Sequence, residues 1–173
     1  MRNVIVTEYQ PQWIDMFETE ARHLRRVFND ELLDIHHFGS TSVPGLKAKP
    51  IIDILPVVKD IQLVDQFNDE MITLGYEPMG EYGIHRRRYF RKGKDNRTHH
   101  IHVFDQTSQD DIVRHLAVRD YLRTHPLKAK EYGDLKQQLA HLHPTNMEAY
   151  INGKDQFVKD LEQKAVIWYK TKK

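Results

Sequence analysis

Residues 39–55 read GSTSVPGLKAKPIIDIL. A turn of small and hydroxyl-bearing residues leads past Pro50 into an apolar run, and a single carboxylate, Asp53, stands inside that run. A lone buried carboxylate is costly unless it is paired, hydrogen-bonded or held on a metal. In a strand Ile51, Asp53, Leu55 and Val57 share one face. What surrounds Asp53 on that face therefore decides what the chain does.

Working outward, LLDIHHF (32–38) reads as a strand running into Gly39, and PIIDILPVV (50–58) as the next strand, closed by Asp60 as a helix N-cap. Upstream, NVIVT (3–7) reads as a short strand. After Pro11, the residues Trp13, Phe17, Ala21, Leu24 and Phe28 recur at helical spacing. Downstream, Ile61, Val64, Phe67 and Met71 mark a helix that stops near Gly75. IHRRRYFRK (84–92) and THHIHVFD (98–105) flank a polar turn, the pattern of a hairpin. The remainder is helical: one helix runs to Pro126, a second to Pro144, and Thr145 with Glu148 forms a capping-box pattern opening a third. Strands early and helices late predict an α+β fold, a mixed β-sheet backed by helices with a helical C-terminal section. The expected organisation is one domain over 1–173, with a sheet-containing core at 1–107 and a helical section at 108–173.

Bulk composition narrows the function classes. With 173 residues, 39% hydrophobic and 29% charged, the chain has the makeup of a globular domain. A net charge of +1 gives no global pull toward nucleic acid, so nucleic acid is not expected as a partner. The chain has no cysteine, which excludes disulfides, thiolate metal sites and cysteine nucleophiles. The opening MRNVIVTEYQPQW lacks the apolar core of a signal peptide, and no apolar run approaches the length of a membrane span. The expected location is cytoplasmic, without membrane contact.

GSTSVPG offers backbone N–H groups and the hydroxyls of Ser40, Thr41 and Ser42, a set suited to cradling an anion. It is not a Walker A loop, because its glycines and lysine are in the wrong order. Alone it reads as an ordinary loop; followed by a strand-borne acid, it has the layout of a nucleotidyltransferase, in which the turn holds triphosphate and the acid holds a metal. On 98–105, His100 and His102 point to one face and His99, Ile101 and Val103 to the other. With Asp53 they would make a two-histidine, one-carboxylate metal set; the plainer reading is hydrogen bonding to polar neighbours or to substrate phosphate. A two-histidine phosphoesterase would need a second H-x-[ST] repeat, which is absent. In RRRYFRKGK (86–94), alternation puts Arg86 and Arg88 on one face and Arg87 opposite; a solvated hairpin competes with a phosphate or RNA grip. Arg119 and Arg123 lie four apart on one helix face, and Lys136 and Lys154 occupy later helices.

HFGSTSVPGLKAKPIIDIL closely resembles the signature of the GrpB family, a branch of the nucleotidyltransferase superfamily, whose module is also fused to some dephospho-coenzyme A kinases. The likeness extends over Tyr9, Pro11, Trp13 and Phe17, the HIHVF strand and RDYLRTHPLKAKEYGDLK, to Tyr150 and Lys154. It implies a nucleotidyltransferase-like fold, with Gly39, Ser40 and Thr41 at the phosphate-binding turn and Asp53 as metal carboxylate. Arg119, Lys136 and Lys154 would neutralise phosphate charge, and His100 or His102 would act as metal ligand or general base. The implied cofactor is Mg²⁺ or Mn²⁺; the implied ligand is a nucleoside triphosphate or another phosphate-bearing small molecule. Leu55 departs from the wider superfamily, whose catalytic members carry a second acid there. That leaves two expectations: metal-dependent nucleotidyl transfer to an acceptor, or a nucleotide- or coenzyme A-binding module without chemistry.

Overall fold

In the computed structural model, which describes residues 2–172, five strands form one mixed sheet. They are β1 (Leu32–Phe38), β2 (Ile52–Val58), β3 (Tyr76–Pro78), β4 (Arg87–Lys92) and β5 (His99–Asp105), ordered β1-β2-β5-β4-β3. β2 and β5 are parallel and the other neighbours antiparallel. The β2–β5 register sets Asp53 beside His100, and the β1–β2 register sets it opposite Phe38, the residue before Gly39. Asp53 is thus flanked on one side by a histidine strand and on the other by the glycine turn.

Both sheet faces are covered. Trp13, Phe17, Ala21, Leu24 and Phe28 of helix α1 (Gln12–Phe28) pack on Ile52, Ile54, Ile101 and Val103, the face opposite Asp53. Burying each large apolar side chain stabilises the fold by about 1.5–3 kcal/mol, so this spacing is sufficient to seat the helix. On the Asp53 face, Leu55, Val57 and Phe104 meet Ile112 and Leu116 of α3 (Gln109–Thr124). Helices α4 (Pro126–Leu142) and α5 (Met147–Thr171) complete the C-terminal section. Leu122, Ala129, Tyr132 and Leu161 of that section enclose Val43 and Leu46, which pins the loop after Gly39 against the helices. The Asp53 face and the helical section therefore share a boundary, and the glycine turn lies on it.

The α+β class agrees with expectation; several local readings do not. Residues 3–7 are not a strand: Thr7 makes an isolated bridge to Ala48, and Val4 packs with Leu139 and Tyr150. Five apolar-alternating residues look alike in a strand and in an extended tether. Asp60 caps as expected, accepting from the Gln62 N–H, but it opens a 3-10 segment, Ile61–Phe67, before a short α2 (Asn68–Thr73). β3 was unforeseen, three residues being too few for any period to register. Arg86 lies outside β4 at φ 62, so its expected alternation with Arg88 does not apply. The cap of α5 is Asn146, whose side chain accepts from the Ala149 N–H at 3.0 Å, not Thr145. The basic hairpin is internally neutralised: Arg86, Arg88, Arg91 and Lys92 pair with Asp105, Asp65, Glu77 and Glu20. Among the described residues, no helix is long and apolar enough to cross a membrane.

Asn146→Ala should lower stability by about 1 kcal/mol, the usual worth of a side-chain N-cap, whereas Thr145→Ala should leave it unchanged. Urea unfolding of the two variants checks both expectations.

Candidate functional site

The glycine turn is fastened before it reaches Asp53. Thr41 Oγ1 donates to the Ile51 carbonyl at 3.1 Å and lies 3.0 Å from His37 Nε2. Its single proton goes to the carbonyl, so the imidazole N–H is the donor in the second bond. Ser42 Oγ donates to the Gly39 carbonyl, and Arg123 Nε donates to the Ser42 carbonyl at 3.0 Å. Gly39 sits at φ 73, in the left-handed region. A Cβ there would lie 2.5 Å from Asp53 Oδ2. Only glycine lets the turn and the carboxylate approach this closely.

Across the strand, His100 Nδ1 stands 3.6 Å and His102 Nε2 3.5 Å from Asp53 Oδ1. Those separations are too long for good hydrogen bonds. They match the spacing of two ligand atoms about 2.1 Å from one ion at a tetrahedral angle, about 3.4 Å. The three ligating atoms lie within 4.8 Å of one another, so Asp53, His100 and His102 form a group able to hold a metal ion. Burial alone would raise the Asp53 carboxyl, but the two imidazoles outweigh it and hold the acid well below the ordinary carboxylate range. His102 is pushed down by burial against the opposing pull of Asp53. Its Nδ1 lies 3.2 Å from Arg87 Nη1. A guanidinium only donates, so Nδ1 is the acceptor and the neutral ring carries its proton on Nε2, facing Asp53. A ligating histidine ordinarily donates its second N–H to an acceptor. Arg87 gives His102 the opposite arrangement and suits it to donating a hydrogen bond.

Asp53 and His100, though not His102, border a cavity of about 310 Å³ between the sheet and the helices. Its walls include Gly39, Ser40, Thr41, Asp53 and His100, and from the helical section Lys136 and Lys154. Residues far apart in sequence, each singled out above, thus converge. Arg119 does not line the cavity: its guanidinium bonds the His37 carbonyl at 3.2 Å and Asp120 at 2.8 Å, bracing the strand before the turn. Thr41 borders the cavity, but its hydroxyl proton is committed to Ile51.

Four residues not singled out from the sequence also line it: Lys49, His115, Tyr132 and Tyr150. Lys136 is buried, at 2% exposure, and its Nζ has no hydrogen-bond partner among the described residues. Its ammonium lies 4.4 Å from the Tyr132 ring centroid. Lys49 sits 5.1 Å over the Tyr150 ring, and Lys154 is 5.7 Å from Tyr150 and 6.0 Å from Tyr132. Aromatic faces support these cations where carboxylates would normally pair with them. Burial and the neighbouring lysines lower Lys136 below the usual amine range, and they bring Lys49 down to about 8. His115, pressed between Phe38 and Phe104, is driven to about 3 by burial. Of these, Lys49 alone stood within the quoted stretch; no periodicity marks the others.

The family profile described as GrpB protein matches residues 3–164. The crystal structure of conserved protein GrpB from Enterococcus faecalis is 48% identical, with a TM-score of 0.93 over 95% of this chain and 99% of that one. YqkA of Bacillus subtilis is 48% identical over 169 residues, 98% of this chain; the chain spans 49% of that relative's length. Cid1 poly(U) polymerase bound to MgATP is a distant match, 15% identical at a TM-score of 0.49 over 75% of this chain and 45% of that one. The chain belongs to the GrpB family.

Gly39→Ala should destabilise the protein by about 1–3 kcal/mol, through the left-handed backbone cost and the displacement of Asp53. The loss should shrink in an Asp53→Ala background, because the two residues compete for one volume. A double-mutant cycle in urea measures the difference, and full additivity would refute the contact.

Proposed function

We propose that this GrpB-family chain binds a nucleoside triphosphate in the Asp53 cavity and, with Mg²⁺ or Mn²⁺, transfers its nucleotidyl group to an acceptor. One observation carries the reading. Five buried side-chain polar atoms lack a hydrogen-bond partner among the described residues: His100 Nε2, His102 Nε2, His115 Nε2, Lys136 Nζ and Tyr150 Oη. Four of these residues line the cavity and the fifth contacts Asp53. Each such group costs about 1–3 kcal/mol when left unsatisfied. A fold that tolerates them together in one place is built to complete them with a polar ligand. Lys49, Lys136 and Lys154, with no carboxylate partner within 4.0 Å among the described residues, give that ligand its sign: an anion with several charges.

In this reading Asp53, with His100 beside it, would hold the metal together with phosphate oxygens, since a single carboxylate plus substrate oxygens is a common way to bind Mg²⁺. When bound, the ion supplies charge neutralisation at the phosphates. The backbone of Gly39 and the Ser40 hydroxyl orient the phosphates. His102 donates its Nε2 proton in a hydrogen bond, in place of the general-base role considered from the sequence. The lysines take up charge on pyrophosphate as the acceptor hydroxyl gives its proton to solvent, its oxygen bonds to the α-phosphorus and the α–β bridging bond breaks. Leu55 favours a second reading. It is fully buried in the apolar cluster with Phe38 and Phe104, so a second acid is missing and the cavity would bind a nucleotide or coenzyme A without turnover.

Calorimetry with each nucleoside triphosphate and coenzyme A, with and without Mg²⁺ or Mn²⁺, tests binding, and pyrophosphate release tests chemistry. Asp53→Asn should abolish turnover and metal-dependent binding while leaving thermal stability near that of the parent; undiminished turnover would overturn the reading. Lys136→Met should weaken triphosphate binding about tenfold or more, the scale of one charge-assisted contact. Affinity should also fall as pH rises through about 8, because Lys49 must be protonated to attract phosphate and loses its proton there. A flat profile from pH 6 to 9 would remove Lys49 from the ligand contacts.

A further inference from the structure

The lysines and arginines of this chain divide sharply by partner. Where such a residue is not exposed, it usually meets a carboxylate: Lys47, Arg88, Arg91, Lys92, Arg114 and Lys128 all do. Arg87, bonded to the Glu81 and Tyr82 carbonyls and His102, is one exception; Lys136, Lys154, Lys49, Arg2 and Arg97 also meet none within 4.0 Å among the described residues, and these five border two adjoining cavities. The first is the Asp53 cavity. The second, about 250 Å³, lies beyond Lys49 and Ile51, which belong to the walls of both.

Arg2 and Arg97 line this second cavity. Arg97 Nε donates to the Lys94 carbonyl, which ties the side chain to the loop at the cavity wall. Among the described residues, Lys49 Nζ has the Met147 sulfur at 3.7 Å and the Tyr150 ring as its polar and ring partners. Burial and Arg97 both lower Arg2, and Arg2, Arg97 and Lys154 all weigh against the charge on Lys49. Asp95, exposed on the same wall, offsets part of this by favouring the charge on Arg2. Partly buried cations set against one another raise the energy of the empty cleft, and an anion relieves it. Two guanidiniums and an ammonium match the oxygens of a phosphate monoester, since arginine forks bind two of them at once.

We propose that Arg2, Arg97 and Lys49 form a second anion site, distinct from the Asp53 cavity, and that it holds the phosphate group of a phosphorylated small-molecule acceptor. This rests on the transfer reading above. Lys49, on the shared wall, would place the acceptor's phosphate on one side of Ile51 and the triphosphate on the other. The acceptor's remaining atoms would run from the second cavity toward Asp53, where its attacking hydroxyl is needed. A neutral acceptor gains nothing from such a site.

Inorganic pyrophosphate is the probe, titrated calorimetrically with Mg²⁺ into the full chain and its variants. The parent should bind two ions per chain. Arg97→Gln should weaken one binding event about tenfold or more and spare the other, and Arg2→Gln should do the same should the first variant fold poorly. Lys136→Met should show the converse selectivity. If Lys136→Met abolishes all binding and neither arginine variant changes it, the second site is overturned while the Asp53 cavity stands. One event weakened by all three variants would also overturn it, by showing a single extended site. Absence of any binding in the parent would defeat both readings.

Discussion

The parallel pairing of β2 with β5 is the constraint on which the site depends. It sets Asp53 in register with His100, one position from His102 on the same face, and the antiparallel partner β1 delivers Gly39 to the other side of the same carboxylate. No side chain fits between turn and acid, since a Cβ on Gly39 would stand 2.5 Å from Asp53 Oδ2. The turn is then tied down from outside the sheet, by Thr41 on Ile51 and by Arg119 and Arg123 on backbone carbonyls. Arginines that look like ligand contacts in the sequence are used as braces. Their N–H groups hold the strand and loop in place, and the cations of the cavity come from Lys49 on the loop before β2 and from Lys136 and Lys154 on α4 and α5.

Tyrosines set the electrostatics of the cavity. A lysine ordinarily enters a protein interior with a carboxylate beside it, and the pair is nearly neutral to anything that approaches. Tyr132 and Tyr150 stabilise Lys49, Lys136 and Lys154 through their ring faces, which keeps the ammoniums in position without cancelling their charge. The arrangement costs stability, as the lowered Lys136 and the unpartnered buried atoms attest. It leaves the cavity with positive charge that an ion pair would have cancelled.

The sheet and the long helices were legible because their signals are periodic. Trp13 to Phe28 repeats at helical spacing, and Asp53, Leu55 and Val57 alternate against Ile52 and Ile54. The family signature around Gly39 and Asp53 made half of the site readable, and the same-face placement of His100 and His102 follows from strand geometry alone. The other half depends on how α4 and α5 dock. Tyr132 and Tyr150 look like core aromatics, His115 lies in a helix whose pattern gives no reason to single it out, and Lys49 sits in a loop. Local spacing also misled where two chemistries share one pattern: Thr145 and Asn146 are both competent caps, and the fold uses the second.

The uncancelled ammoniums bear on the order of events at Asp53. A bare divalent ion approaching the carboxylate meets the field of Lys49 and Lys154 as well, and the attraction of one acid is offset by repulsion from its neighbours. The same ion already chelated by a triphosphate arrives as a net anion and is drawn in by both. On the proposed triphosphate reading, the cavity would therefore admit metal and nucleotide as one complex, and its affinity for free metal would be poor whatever its affinity for the pair.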